Sequence, residues 1–181
     1  MDNILYISGD GVTNAKQRWK IYFNYFDQLW FWKNYSYSKA GCVRVKLGFE
    51  SGSDRILKQI QKDETKDDMR NGASMLKEAG VPFTAYFMAG FPSETDEDLK
   101  QTIDFAKEIQ ADYYSLSILS PYYGTKMYYD LMDQGFELDK KPWEYFFHQT
   151  GELMVNDDIS KELLEEYLAL NELNHDGKGY I

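Results

Sequence analysis

At 181 residues, with 28% charged and 43% hydrophobic side chains, the chain is long enough for one domain with a sizeable core and has an ordinary globular composition. Its net charge of −10 argues against a nucleic-acid partner, because a polyphosphate surface rewards clustered Lys and Arg and no such cluster occurs. No stretch approaches the run of about 20 apolar residues that a membrane span needs.

The N-terminus, MDNILYISGDG, lacks a basic region followed by an apolar core, so no signal peptide is visible and the expected location is cytoplasmic. A single cysteine, Cys42, excludes an internal disulfide and a cysteine-based zinc or iron–sulfur site within one chain. With only His148 and His175, a histidine-built metal centre is not expected either.

In chain order, Ile4 to Ser8 reads as a short strand followed by a Gly-Asp-Gly turn. Asn14 then caps a helix reaching about Trp30, on which Trp19, Ile21, Tyr22, Tyr25, Phe26 and Leu29 recur near helical spacing. Aromatic residues are densest from Trp19 to Tyr37, which marks either a thick core layer or an interface. Residues 30–40 fit a short strand with an irregular connection.

From Cys42 the pattern sharpens. Val43, Val45, Leu47 and Phe49 alternate with Arg44, Lys46 and Gly48, the period of a strand. Ser53 caps a short helix over Asp54 to Gln61, and Thr65 with Asp68 forms a capping box for a second helix ending before Gly80. Pro82 precedes a strand over Phe83 to Met88. Thr95 with Asp98 starts another helix, with Leu99, Ile103 and Ala106 on one face. Tyr113 to Leu119 alternates again, Ser115 and Ser117 opposing Tyr114, Leu116 and Ile118, and a helix follows Gly124-Thr125. Beyond Pro142 come a short aromatic helix and an acidic amphipathic helix over Ser160 to Leu173.

Strands alternating with helices predict an α/β chain with a parallel sheet. Four or five such units fall short of the eight of a complete barrel, so the expected architecture is a partial (β/α) TIM-like barrel plus C-terminal helices. With no low-complexity linker, 1–181 reads as a single domain: weakly matching units over 1–41, core units over 42–135, and a helical extension over 136–181.

Ligands bind at the carboxyl ends of strands in such folds. Three turns stand there: Glu50-Ser51-Gly52-Ser53, Gly90-Phe91-Pro92-Ser93-Glu94, and Ser120-Pro121-Tyr122. Gly52 and Gly90 would let backbone approach a ligand, while Glu50, Ser51 and Ser53 can bond ribose hydroxyls or an amino group. Each residue also has a plain structural reading. Glu50 can cap or salt-bridge the next helix, and Ser51, Ser53, Ser93 and Thr95 stand where capping is the default. Pro and Ser in the second turn suit ordinary turn chemistry. Ser115 and Ser117 either line a cavity or relieve crowding inside a narrow sheet. Cys42 reads as a small buried hydrophobe.

AGCVRVKLGFESGSDRIL, YFMAGFPSETDEDLKQTIDFAKEI and SLSILSPYYGT, in that order from about Ala40 to Thr125, resemble the fourth, fifth and sixth strand regions of the radical S-adenosylmethionine (SAM) superfamily, in particular its cobalamin-domain-associated, porphyrin-cyclase-like branch. The resemblance implies a SAM site formed by Glu50, Ser51, Gly52, Ser53, Met88, Gly90, Ser117, Leu119 and Ser120. ILYISGDGVTNAKQRWKIYF looks like the second strand and helix of that family, which implies that the chain lacks the first βα unit. That unit carries the Cys-x-x-x-Cys-x-x-Cys loop for the 4Fe-4S cluster, and Cys42, just ahead of a strand, stands away from the expected site. No catalytic residue is assignable and no metal ligand is expected.

The expected function is therefore a truncated radical SAM domain, not catalytic alone, that would generate a 5′-deoxyadenosyl radical if the cluster loop were supplied. The alternative is a non-catalytic remnant acting as an interaction module, self-associating through the edge at Ile4 to Ser8 or the aromatic segment 19–37. A SAM methyltransferase fold fits less well, because SGDGVT is only a weak echo of its Gly-rich loop.

Overall fold

The computed structural model describes residues 44–146, 156 and 158–173. The expected N-terminal strand, its helix, Cys42 and the aromatic segment 19–37 lie outside the described residues, as do both histidines.

Three parallel strands form one sheet in the order of the sequence: β1 (Val45–Glu50), β2 (Phe83–Ala89) and β3 (Tyr113–Ile118). Helices α1 (Asp54–Gln59) and α2 (Lys66–Glu78) connect the first two strands, and α3 (Asp96–Ile109) connects β2 to β3. Sequential neighbours joined by helical crossovers are the arrangement of a (β/α) barrel, whereas a doubly wound sheet reverses strand order at a switch point. Beyond β3 come α4 (Lys126–Asp133), two 3-10 turns at Leu138–Lys140 and Trp143–Phe146, and α5 (Lys161–Ala169), which ends in a 3-10 turn over Leu170–Leu173. Among the described residues no helix is long and apolar enough to cross a membrane.

The alternation in the sequence becomes two distinct sheet faces. Val45, Leu47 and Phe49, then Phe83, Ala85, Phe87 and Ala89, then Tyr114, Leu116 and Ile118 are all buried. Most of them pack with Leu57, Met69, Leu76, Leu99, Ile103 and Phe105 from the helices. Phe49, Phe87 and Phe105 meet with ring centroids 5.7–6.4 Å apart, in the tilted and edge-on orientations that the ring quadrupole favours. On the other face, Gly48, Tyr86 and Ser115 lie side by side in register and Met88 is paired with Ser117, all half-buried. The helix-free face is thus the more open one.

Both helix starts read from the sequence close as reciprocal capping boxes. Thr65 and Asp68 exchange side-chain and backbone hydrogen bonds, and Thr95 and Asp98 do the same, each satisfying two amides that the first helical turn leaves orphaned. The Tyr114 hydroxyl accepts from the Ala111 amide at 3.0 Å and donates to the Ala106 carbonyl at 2.9 Å, locking the end of α3 to β3. Four bounds differ slightly from expectation: α1 stops at Gln59, β2 runs on to Ala89, β3 ends at Ile118, and the acidic helix tightens to 3-10 from Leu170. At the end of α1 the Lys62 amide reaches back to the Leu57 carbonyl and Gln61 takes φ +56°, which breaks the helix where composition alone would let it continue.

α5 closes the free side of β3. Tyr167 is fully buried, donates its hydroxyl to the Ser117 carbonyl at 3.2 Å, and joins the main core with Ile159 and Leu170. Glu166, on the outer side of the same helix, pairs with Lys107 of α3 at 2.8 Å.

Candidate functional site

All three turns singled out in the sequence stand at the carboxyl ends of β1, β2 and β3. The first begins with a strained residue. Glu50 takes φ +63°, and the Ser51 amide donates to the Phe49 carbonyl at 2.8 Å, which is a γ-turn with the left-handed φ that side chains disfavour. Register with β2 shifts between Gly48 and Glu50 at this point. The Glu50 carboxylate folds back over Gly48, where a Cβ would lie 2.5 Å from its Oε1. The missing side chain at Gly48 is what makes room for the acid on the open face. Burial pushes the Glu50 carboxyl above its ordinary pKa, with Lys62 opposing that rise and Glu64 adding to it. Lys62 and Glu64 themselves pair at 2.9 Å.

Ser51, Gly52 and Ser53 turn toward α3. The Ser51 hydroxyl is buried 3.0 Å from Thr102 Oγ1 and accepts from the Ser53 amide, while the Gly52 amide donates to Thr102 Oγ1 at 2.9 Å. A Cβ at Gly52 would come within 2.5 Å of the Gln101 carbonyl and 2.7 Å of Thr102 Cα, so this glycine permits the approach of helix backbone. The Ser53 hydroxyl donates to Asp98 Oδ1 at 2.6 Å and receives the Ile56 amide as the cap of α1. The capping role weighed from the sequence is present for Ser53, whereas Ser51 caps no described helix and ties the turn to Thr102.

Asp98 ties the first turn to the second. Besides Ser53, it accepts from Arg55 through Nε at 3.1 Å and through Nη2, and it closes the Thr95 cap. These donors hold its carboxyl well below the usual carboxylate range, against the opposing effect of burial. Arg55 Nη2 also donates to the Ser93 carbonyl at 2.6 Å, and the Ser93 hydroxyl bonds Gln59.

Within the second turn Gly90 takes φ +87°, and Glu94 folds back to accept from the Gly90 amide at 2.7 Å and the Phe91 amide at 3.2 Å. Glu94 is fully buried, its other oxygen has no hydrogen-bond partner among the described residues, and burial pushes its pKa up to about 7 despite those two donors. Asn156, buried and 65 residues away, clamps the same turn: its amide nitrogen donates to the Phe91 carbonyl at 2.6 Å and the Glu94 carbonyl at 2.7 Å. The role of Glu94, and Asn156, Arg55, Thr102 and Tyr167 altogether, escaped the sequence reading. Arg55, a cation one residue into a helix, and Glu94, an acid four residues after a glycine, left local signals; Asn156, Thr102 and Tyr167 act through partners 50 or more residues away.

In the third turn, the Leu119 amide extends the β2–β3 pairing by donating to the Ala89 carbonyl at 2.8 Å. Ser120 is buried and its hydroxyl has no hydrogen-bond partner among the described residues. Met88, Ser117 and Leu119 are half-buried, Met88 and Ser117 being paired on the open face. Of the nine residues assigned to the cofactor, Glu50, Met88, Ser117, Leu119 and Ser120 thus border the strand ends with unspent or exposed surface. The Ser51 and Ser53 hydroxyls and the Gly52 and Gly90 amides are bonded within the protein.

Over this arrangement of helix-linked parallel strands, the family model described as "Radical SAM superfamily" matches residues 36–106. An uncharacterized methyltransferase of Pyrococcus horikoshii is 38% identical over 90 residues, 50% of this chain and 20% of that protein. A tRNA-2-methylthio-N(6)-dimethylallyladenosine synthase of Caldicellulosiruptor saccharolyticus is 36% identical over 47% of this chain and 18% of its own length. An anaerobic magnesium-protoporphyrin IX monomethyl ester cyclase of Cereibacter sphaeroides is 32% identical over 54% of this chain and 16% of its own. The matches therefore span about a fifth of these relatives. Among solved structures, a radical S-adenosylmethionine methyltransferase from Kitasatospora setae, with cobalamin and a 4Fe-4S cluster bound, aligns with TM-score 0.48 at 21% identity, covering 54% of this chain and 20% of that one.

The two cofactors of the family fare differently against these residues. For SAM, the Ser120 hydroxyl beyond β3 and the inward-folded Glu50 carboxylate at the end of β1 offer a donor and an acceptor on either side of β2. For the cluster the donors do not fit. The chain has one cysteine, and among the described residues no group of three or more His, Cys, Asp or Glu could hold a metal ion.

Proposed function

We propose that this chain supplies the nucleoside side of a SAM site, with the iron–sulfur cluster held by residues outside these 181. The observation that carries this reading is Glu50: an acidic residue in a strained γ-turn at a strand end, its carboxylate folded over a glycine onto the open sheet face. Strain of this kind costs about 1–3 kcal/mol and persists where the surroundings impose it, often at ligand sites. SAM, when bound beside a reduced cluster, supplies the radical precursor in this family.

The chain's own residues bind and orient. Glu50 accepts from the ribose hydroxyls or the amino group, and Ser120 donates its unspent hydroxyl from the next turn but one. Met88, Ser117 and Leu119 form the half-buried floor that excludes water beneath the ring. Glu94 and Asn156 fix the backbone of the middle turn that stands between them. Alone, the chain binds without turning over.

Titration calorimetry of the purified chain with SAM tests this, repeated on Glu50→Gln and Ser120→Ala. Binding that weakens in both variants supports the half-site. No heat at about millimolar ligand, or affinity indifferent to both substitutions, refutes it.

A further inference from the structure

We propose that the aromatic cleft formed after β3 binds a planar heteroaromatic molecule carrying an anionic substituent. The cleft has a volume of about 580 Å³, within the range of small-molecule sites. Tyr122 and Tyr123, from the turn two residues beyond Ser120, line it together with Trp143 and Phe146 of the 3-10 turn, and Tyr128 of α4 lines it from a buried position. That position is fixed: the Tyr128 amide donates to the Thr125 cap at 3.2 Å, and its ring packs with Leu131 and Leu138 in a small apolar cluster separate from the main core.

Beside this buried ring, Tyr122, Tyr123 and Trp143 keep solvent-exposed surface. Tyr123 is 78% exposed and Trp143 69%, and six of the seven exposed large hydrophobics among the described residues fall between Tyr122 and Tyr145. Three of them, Tyr122, Tyr123 and Trp143, line the cleft, and exposed rings in a concave setting mark a binding surface.

Shape and charge select the occupant. Five of the eight lining side chains are aromatic and only Leu138 is aliphatic, a lining that stacks on flat π-systems and offers saturated rings less. A quaternary ammonium would also suit aromatic faces, but it would fill a small part of 580 Å³. The polar groups are Lys141 and Asp139. Lys141 Nζ sits 5.8 Å from the centroid of the Tyr145 ring, a cation held beside an aromatic wall and placed to meet an anionic substituent. Asp139 can accept from ring N–H groups. None of this depends on the SAM reading.

The test uses the whole chain and two flavins, flavin mononucleotide and riboflavin, followed by calorimetry and by quenching of flavin fluorescence, with cholate as a saturated, anionic control. The mononucleotide should bind more tightly than riboflavin, and cholate should not displace it. Trp143→Ala and Tyr123→Ala, both at open positions, should each weaken binding about tenfold, the scale of one lost stacking contact, with melting temperature and SAM titration unchanged. Lys141→Met should abolish the advantage of the mononucleotide. The proposal is overturned by no flavin binding up to about 1 mM, by competition from cholate at equal concentration, or by affinity that survives both ring deletions.

Discussion

Glu94 offers the sharpest test of how this fold is held. Its carboxyl is fully buried, one oxygen accepts two backbone amides, the other has no hydrogen-bond partner among the described residues, and its pKa rises from 4.5 to about 7. A group that holds its proton more tightly when folded stabilises the native state below its unfolded pKa and loses that contribution as pH rises through the folded value. Stability should therefore fall between about pH 4.5 and pH 7. At about 1.4 kcal/mol for each tenfold change in proton affinity, the loss is on the order of 3 kcal/mol. Glu94→Gln keeps an oxygen for the Gly90 and Phe91 amides and removes the titration. Urea denaturation of both proteins from pH 5 to pH 8 measures the difference. The variant should match the parent or be slightly weaker at pH 5 and exceed it by a few kcal/mol at pH 8. Glu50 shifts in the same sense but is present in both proteins, so it cancels. Parallel stability profiles would refute the reasoning, because they would mean that the buried acid is solvated or ion-paired at neutral pH.

Three further outcomes follow from the geometry. Gly52→Ala places a methyl 2.5–2.7 Å from α3 backbone and should cost about 1–3 kcal/mol, the usual effect of overpacking; calorimetric unfolding would show it as a lowered melting temperature, and an unchanged one would contradict the close approach. Thr102→Val leaves the buried Gly52 amide without its acceptor and Ser51 without its partner, a loss of about 1–3 kcal/mol in urea denaturation. Phe105→Ala removes a fully packed ring from contact with Phe49 and Phe87 and should cost about 3–5 kcal/mol; a value below about 1 kcal/mol would show that the three rings do not act as the core.

Much of the scaffold was legible because its signals are local. Alternation in VKLGFE and YYSLSI translated directly into buried and half-buried faces, and the two Thr-x-x-Asp helix starts formed as capping boxes. The site was less legible because its determinants are long-range. Ser51 and Ser53 look like ligand hydroxyls in sequence, yet they meet Thr102 and Asp98 more than 40 residues away. Gly52 signals a close approach, but sequence cannot say whether ligand or helix makes it. The pair of amides gripped by Glu94 could have been suspected from an acid four residues after a glycine; the second grip, from Asn156, has no local trace. The cleft after β3 escaped because its aromatics scan as helix and turn faces until the 3-10 turn carries Trp143 opposite Tyr123.

The bonding of the first two turns has an evolutionary consequence. Arg55, Asp98 and Thr102 weld them to one helix, so neither can be redrawn without the other, and a change in either would have to be matched in α3. In the third turn the Thr125 hydroxyl bonds the Tyr122 carbonyl three residues back, a link within the turn itself. Lineages built on this scaffold can thus diversify at Tyr122 to Thr125 and its neighbouring cleft while inheriting the welded pair unchanged, which makes that turn the natural place to graft a new specificity.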